Sequence, residues 1–300
     1  MSAPRFARLA KRLRDAVADA AWVQWHALGG QVAGRVPTSI VDPEALLLAT
    51  ISLADVEPRF RDLLGGFMSA DTRRISVQRL RRLAESFPAR VREGLGRFAQ
   101  GAVDAGDPRW RRLASGKAMT VGRPGKVGSA VSRFGDPGSL MLRMRAAFGV
   151  DVRADVITYL IGNQGGPADI RAMRVELGYV TNSLRSACES LEEAGLMSST
   201  STRPAQYRLP WGRWQRFLEL SVTPWHSWSA AYGLAMELHD WLRAHEGREP
   251  SVSTERILVR EWSDAHAGQV VLLGIDPDAT APRTFESLGG SIAGTLERWA

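Results

Sequence analysis

Apolar residues recur along most of this chain at three- and four-residue steps, the spacing of an amphipathic helix. Over residues 5–28, Phe6, Leu9, Leu13, Val17, Ala20 and Ala21 form one stripe, with Arg8, Lys11, Arg12 and Asp15 on the other side. Gly29-Gly30 ends that helix. Asp42-Pro43 opens a second one, with an acidic cap and proline in the first turn. Its body, Glu44 to Leu53, is apolar on most sides and is expected to be buried. Three more helices follow over Glu57–Met68, Ser76–Phe87 and Arg90–Ala102. Strand-like alternation is missing before residue 115, so residues 1–115 are expected to form an all-α domain.

Residues 116–138 change character. Glycines 116, 122, 125, 128, 135 and 138 and prolines 124 and 137 mark a linker. It lies in the most basic stretch of the chain, Arg109 to Arg145, which has nine basic residues and one acid, Asp136.

Residues 139–210 have a recognisable order. Short helices are expected over Ser139–Phe148, Arg153–Ile161 and Asp169–Leu177, with Gly162 to Pro167 as a turn and Gly178 as a break. A fourth runs from Thr181 to Ala194, with Leu184, Ala187, Cys188 and Leu191 inward and Gly195 as its C-terminal cap. Leu196-Met197 and Tyr207–Leu209 read as two short strands around the polar loop Ser198 to Ala205.

This segment resembles the winged helix-turn-helix of bacterial transcription regulators, broadly the ArsR/MarR-like group. The resemblance covers about 70 of the 300 residues and rests on helix–turn–helix spacing plus a wing. Met173, Leu177, Leu184 and Ala187 occupy the apolar contact positions around the turn glycine, Gly178. Four residues before that glycine the pattern takes a small residue, and here it is Arg174. Arg174 must therefore lean outward, or the two helices must pack differently.

The resemblance implies double-stranded DNA as partner, and the residue chemistry agrees. The outer face of the fourth helix begins with Thr181, Asn182, Arg185, Ser186 and Glu189. Asn suits adenine, Arg suits guanine, and the hydroxyls suit phosphate or base edges. In the wing, Thr202 and Arg203 suit a backbone or minor-groove contact. Within the linker, Gly122-Arg123-Pro124-Gly125-Lys126 partly resembles an AT-hook, with Val121 where an arginine is usual. Arg123 and Lys126 are thus further DNA candidates.

Charge qualifies this reading. The net charge is +7, but residues 1–150 hold 25 Arg/Lys against 13 Asp/Glu, and residues 151–300 hold 14 against 19. Residues 139–210 alone are nearly neutral, with eight Arg and seven acids. Charge by itself leaves a polyanion partner and a merely arginine-rich composition equally open.

Residues 211–300 hold seven of the ten tryptophans. Trp211/Trp214 and Trp225/Trp228 each share a face if helical, and such stripes usually mark core or an oligomer interface. A helix is expected from Trp225 to His245, a single buried strand over Gln269–Ile275, and a closing helix over Arg283–Trp299.

Catalytic signals are thin. His239-Asp240 and His245-Glu246 lie off the four-residue step of helical zinc sites. His26 and His266 have no partner nearby in sequence. Gly116-Lys117 and Gly125-Lys126 lack the rest of a phosphate-binding loop. The lone Cys188 excludes an intramolecular disulfide and a cysteine zinc cluster. No catalytic residue, cofactor or metal site is therefore expected.

Ala45–Ala54 is about half the ~20 residues needed to span a bilayer. The basic N-terminus, Met1 to Arg14, lacks the apolar region of a secretion signal.

The expectation is a mainly α chain. A central winged helix-turn-helix (139–210) is flanked by a helical N-terminal domain (1–115), a basic linker (116–138) and a Trp-rich, mostly helical C-terminal domain (211–300). It is read as a cytoplasmic, homodimeric DNA-binding regulator rather than an enzyme. The alternatives are a winged module that docks protein, and an enzyme whose site residues are scattered in sequence.

Overall fold

The computed structural model describes residues 4–30, 35, 37–70, 72–120, 136–219, 223–248, 250–275 and 284–300. These residues form fourteen α-helices, a few 3-10 turns and one two-stranded antiparallel sheet. The linker candidates Arg123 and Lys126 lie outside the described residues.

The first five helices are α1 (Arg5–Ala27), α2 (Pro43–Leu53), α3 (Pro58–Ala70), α4 (Val77–Leu83) and α5 (Ala89–Asp104). All six residues of the expected α1 stripe are buried. Every residue of α2 is buried, and Asp42 caps it by accepting from the Glu44 and Ala45 amides at 3.1 and 3.0 Å. The helix expected over 76–87 divides into α4 and a 3-10 turn, Ala84–Ser86.

The central helices are α6 (Leu140–Phe148), α7 (Val152–Gly162), α8 (Ile170–Leu177) and α9 (Thr181–Glu193). Strands β1 (Ser198–Ser199) and β2 (Tyr207–Arg208) follow, paired Ser198 with Arg208 and Ser199 with Tyr207. The first strand thus begins two residues later than the expected Leu196-Met197. The Leu196 amide donates to Leu191 O at 3.0 Å, and that of Gly195 to Glu192 O at 2.9 Å, closing α9 as a Schellman motif. Those amides serve the helix end, not a ladder.

The last helices are α10 (Trp211–Leu218), α11 (Trp228–Ala244), α12 (Val252–Ala265), α13 (Ala267–Leu272) and α14 (Phe285–Trp299). The strand expected over 269–275 is not formed, because its first four residues lie in α13. Val270 and Leu273, three apart, are buried, while Val271 is 58% exposed. That is helical periodicity, and a short apolar run does not distinguish it from a strand. The pattern also passed over α12, which Ser251 caps through the Thr254 amide.

Two hydrophobic clusters organise these elements. The larger unites residues from α1–α5 with residues from α11–α14. Phe6 of α1 meets Phe285 of α14 edge-on at 5.8 Å and Trp241 of α11 at 5.9 Å. Helices α1–α5 and α11–α14, expected in separate domains, therefore share a core, whereas α10, expected with the C-terminal domain, belongs to the smaller cluster. The smaller cluster spans α6 to α10 and takes in Ile40. Trp225 and Trp228 do not share a helix face, since α11 starts at Trp228. Trp228 is buried in the larger cluster, while Trp225 packs on the smaller one against Tyr159 at 5.7 Å.

Candidate nucleic-acid interface

The centre of the α6–α10 unit is α7, buried from Ala154 to Gly162. Helices α8 and α9 pack on it. Asp169 caps α8 by accepting from the Ala172 amide at 2.7 Å. Gly178 ends α8 in the left-handed region, at φ 69°. A Cβ there would stand 2.9 Å from Leu83 Cδ2 of α4, so glycine is needed for both backbone and space. Arg174 points outward and is exposed, the first of the two arrangements its size allowed.

On α9 the expected inner face is realised: Leu184, Ala187, Cys188 and Leu191 are buried. Burial pushes the Cys188 thiol up to about 12, with Glu189 and Glu192 adding to the shift, so a thiolate nucleophile is disfavoured. The outer face carries Thr181, Asn182, Arg185, Ser186 and Glu189, all exposed, followed by exposed Glu192 and Glu193. The helix thus presents hydroxyls, an amide and a guanidinium in its first two turns and carboxylates beyond.

The hairpin is fastened to α9 and α8. Ser199 donates to Glu192 Oε1 from its amide at 3.0 Å and its hydroxyl at 2.7 Å. Tyr207 exchanges backbone hydrogen bonds with Ala168, just before α8, at 2.9 and 3.1 Å. At its tip Ser201, Thr202 and Arg203 are exposed. The Thr202 hydroxyl donates to Pro204 O at 3.1 Å, so its proton is directed inside the loop. Among the described residues, Arg171, Arg174, Arg185, Arg203 and Arg208 are exposed and make no ion pair.

A buried charge cluster holds this unit against the N-terminal helices, and residue-type reasoning missed it. Arg79 of α4 donates to both carboxylate oxygens of Asp42 at 2.6 and 2.5 Å, and to Glu44 at 2.5 Å. Its Nε donates to Leu177 O, the last residue of α8, at 2.8 Å. Arg145 of α6 forks onto Asp155 of α7 at 2.8 and 2.7 Å and reaches Glu44 at 2.6 and 3.0 Å. The Tyr179 hydroxyl, just after the turn, donates to Asp155 at 2.7 Å.

All five charged side chains are shut off from solvent. Burial opposes ionisation of Asp42, but the Arg79 guanidinium outweighs it and holds the carboxyl below the usual range. The signals in sequence were faint: an arginine in phase with Leu80 and Leu83, and an aspartate inside the apolar run of α7. On the other side of α8, Glu176 accepts from Trp225 Nε1 at 3.0 Å and from the Ser227 hydroxyl at 2.7 Å. Burial pushes its carboxyl above the usual range. The α8–α9 turn is thus clamped from both flanks.

The histidines do not converge. His245 and His266 each stack on a tryptophan four residues earlier and bond its carbonyl oxygen through Nδ1, at 2.8 and 2.7 Å. His239 pairs with Asp240 at 2.8 Å, and Arg90 binds the same carboxylate at 2.6 and 2.9 Å. Among the described residues there is no group of three or more His, Cys, Asp or Glu fit to hold a metal ion. Nor is any described helix long and apolar enough to cross a membrane.

Comparison with family models, curated proteins and solved structures returns no match to this chain.

Proposed function

We propose that this chain binds double-stranded DNA and regulates transcription, with α7–α9 and the β1–β2 hairpin acting as a winged helix-turn-helix. The observation that carries this reading is the outer face of α9, where Thr181, Asn182, Ser186 and an unpaired Arg185 stand exposed in the first two turns. Those are the turns of a reading helix that touch base edges. Arg185 reads a guanine edge or grips a phosphate, Asn182 suits adenine, and the hydroxyls bond phosphate. Glu189, Glu192 and Glu193 confine the contact to that end, because carboxylates repel phosphate.

Arg203, joined by Arg208, makes the wing cationic. The Thr202 hydroxyl can still accept but not readily donate, so its part is smaller than the residue type alone implies. Arg123 and Lys126 of the linker belong to the same proposal as added backbone or minor-groove contacts. The protein acts in the cytoplasm as a homodimer, since paired winged units reading two half-sites are the usual arrangement. No catalytic role is assigned.

A second reading, protein docking by the same unit, is favoured by one observation. Phe217 is 75% exposed beside a cleft of about 290 Å3 lined by Phe148, Leu196, Pro210 and Trp214. A homodimer contact here would satisfy both readings.

The test is fluorescence anisotropy with duplex fragments of the region upstream of the protein's own gene, at two salt concentrations. Binding that weakens steeply, ~10³-fold or more from about 50 to 200 mM salt if six or more phosphates are neutralised, supports the proposal. A flat salt response, or no binding at low salt, overturns it.

A further inference from the structure

A cleft of about 440 Å3 opens between the end of α4, the α8–α9 turn, the first turn of α11 and the α12–α13 corner. Leu83, Val175 and Leu272 give it apolar walls. Arg82 supplies a cation. Its Nε is shielded from solvent and has no hydrogen-bond partner, and no carboxylate among the described residues pairs with its guanidinium. An anion in the cleft would therefore meet a guanidinium that no described carboxylate neutralises.

Two further donors face the same space. Gln269 Nε2 reaches Ser86 O only at 3.4 Å, the long end of a hydrogen bond. The first turn of α11, at Ser229 and Ala230, carries no side-chain cap, because the Ser227 hydroxyl is turned to Glu176. That end of a 17-residue helix favours negative charge, and the Glu176 carboxyl already held at Ser227 is pushed by burial toward its neutral form. The nearby carboxyl of Glu237 opposes an anion least when protonated, and burial shifts it in that direction.

We propose that this cleft binds a small organic carboxylate with an apolar tail, the carboxylate on Arg82 and the uncapped turn of α11, the tail against Leu83 and Val175. One cation with apolar walls suits a carboxylate better than a phosphate, which typically draws several cations. The site also adjoins the proposed DNA reader. Leu83 fills the space over Gly178, and Val175 lies on α8, so a ligand pressing on either bears on the α8–α9 turn. That regulatory consequence rests on the DNA-binding reading; the binding itself does not.

Titration calorimetry on the full chain tests the site, with benzoate and hexanoate as probes and benzamide and hexanamide as uncharged controls. At least one carboxylate should bind saturably, and its amide ~10- to 100-fold more weakly. Arg82→Gln should produce a similar loss and Arg82→Lys a smaller one. Val175→Glu, at an exposed position, should abolish carboxylate binding by setting a like charge in the wall. Absence of saturable binding by both carboxylates, or unchanged affinity in Arg82→Gln and Val175→Glu, overturns the proposal. In a separate arm, DNA affinity is measured with and without saturating carboxylate. A change of about fivefold or more in the parent, lost in Arg82→Gln, supports coupling. Arg82-dependent carboxylate binding by a chain that binds no DNA upholds the cleft and overturns the DNA reading.

Discussion

Replacing Arg79 by methionine keeps the length of the side chain and removes its donors to Asp42, Glu44 and Leu177 O. Two cations, Arg79 and Arg145, now face three carboxylates, Asp42, Glu44 and Asp155. After the change one cation faces the same three. Breaking a buried pair from one side costs about 3–5 kcal/mol, chiefly because the remaining charge stays buried.

The geometry says where in that range the loss falls. Glu44 keeps Arg145 and the Ser76 amide, at 2.7 Å. Asp42 keeps only the Glu44 and Ala45 amides of the helix cap. The stranded group is therefore Asp42, and the loss should lie near the lower end, about 3 kcal/mol. Such a loss is large beside the ~5–15 kcal/mol that separates native from unfolded states. Adding Asp42→Asn should recover part of it, since asparagine can still accept from the Ala45 amide without carrying a charge.

Urea unfolding followed by tryptophan fluorescence and far-UV circular dichroism reads these differences, and pH supplies a sign. In the parent, the Asp42 carboxyl lies below its usual 3.8, so its contribution is present above about pH 4 and is lost as pH falls further. Without Arg79, the cap amides and the more distant Arg145 oppose burial less than Arg79 did, and that carboxyl rises. The ionised form is then the unfavourable one, and the variant's deficit should be smaller near pH 4.5 than near pH 7. A deficit under ~1 kcal/mol at neutral pH, or one that grows toward pH 4.5, would refute the argument.

Other consequences can be checked alongside. Arg185→Ala should cost ~1–3 kcal/mol of specific DNA binding and relax preference at one base position, with unfolding free energy within ~0.5 kcal/mol of the parent; loss of folding instead would mean that its side chain is structural. Arg203→Ala should weaken all DNA sequences about equally and lower the salt slope, as titrations at several salt concentrations would reveal. Gly178→Ala should destabilise by more than ~1 kcal/mol in urea, because its φ is 69° and Leu83 stands where the methyl would go. His226 stacks on Trp299 at 4.4 Å, and burial pulls its imidazole down to about 4. Its contribution to stability is thus complete above about pH 6.5 and declines as pH falls toward 4, so His226→Phe should flatten that part of the stability–pH curve. Phe217→Ser should shift sedimentation toward monomer; an unchanged distribution would exclude that face from a homodimer contact.

Much of the local structure followed from periodicity and caps. The stripe of α1, the burial of α2, the inner face of α9 and the breaks at Gly178 and Gly195 are short-range properties of the chain. A helix must bury its apolar face whatever lies opposite, and a left-handed residue after it favours glycine. The exposure of Thr181, Asn182, Arg185 and Ser186 follows from the same helical phase. Periodicity failed at α13, where the mostly apolar stretch Gln269–Ile275 fits a strand or a helix and the packing of Val270 and Leu273 decided.

Which faces meet was settled only in three dimensions. The apolar stripe of α1 does not reveal that it packs on α11 and α14, more than 200 residues away. Nor does the spacing of Trp225 and Trp228 reveal that they enter different cores. Arg79, Arg145 and Asp155 look like ordinary surface charges one by one, and Asp42 and Glu44 like no more than the cap and first turn of a helix, since such groups are seldom buried alone. Each can be buried only because the others are there to neutralise it, and that condition exists only once the helices that carry them have packed together.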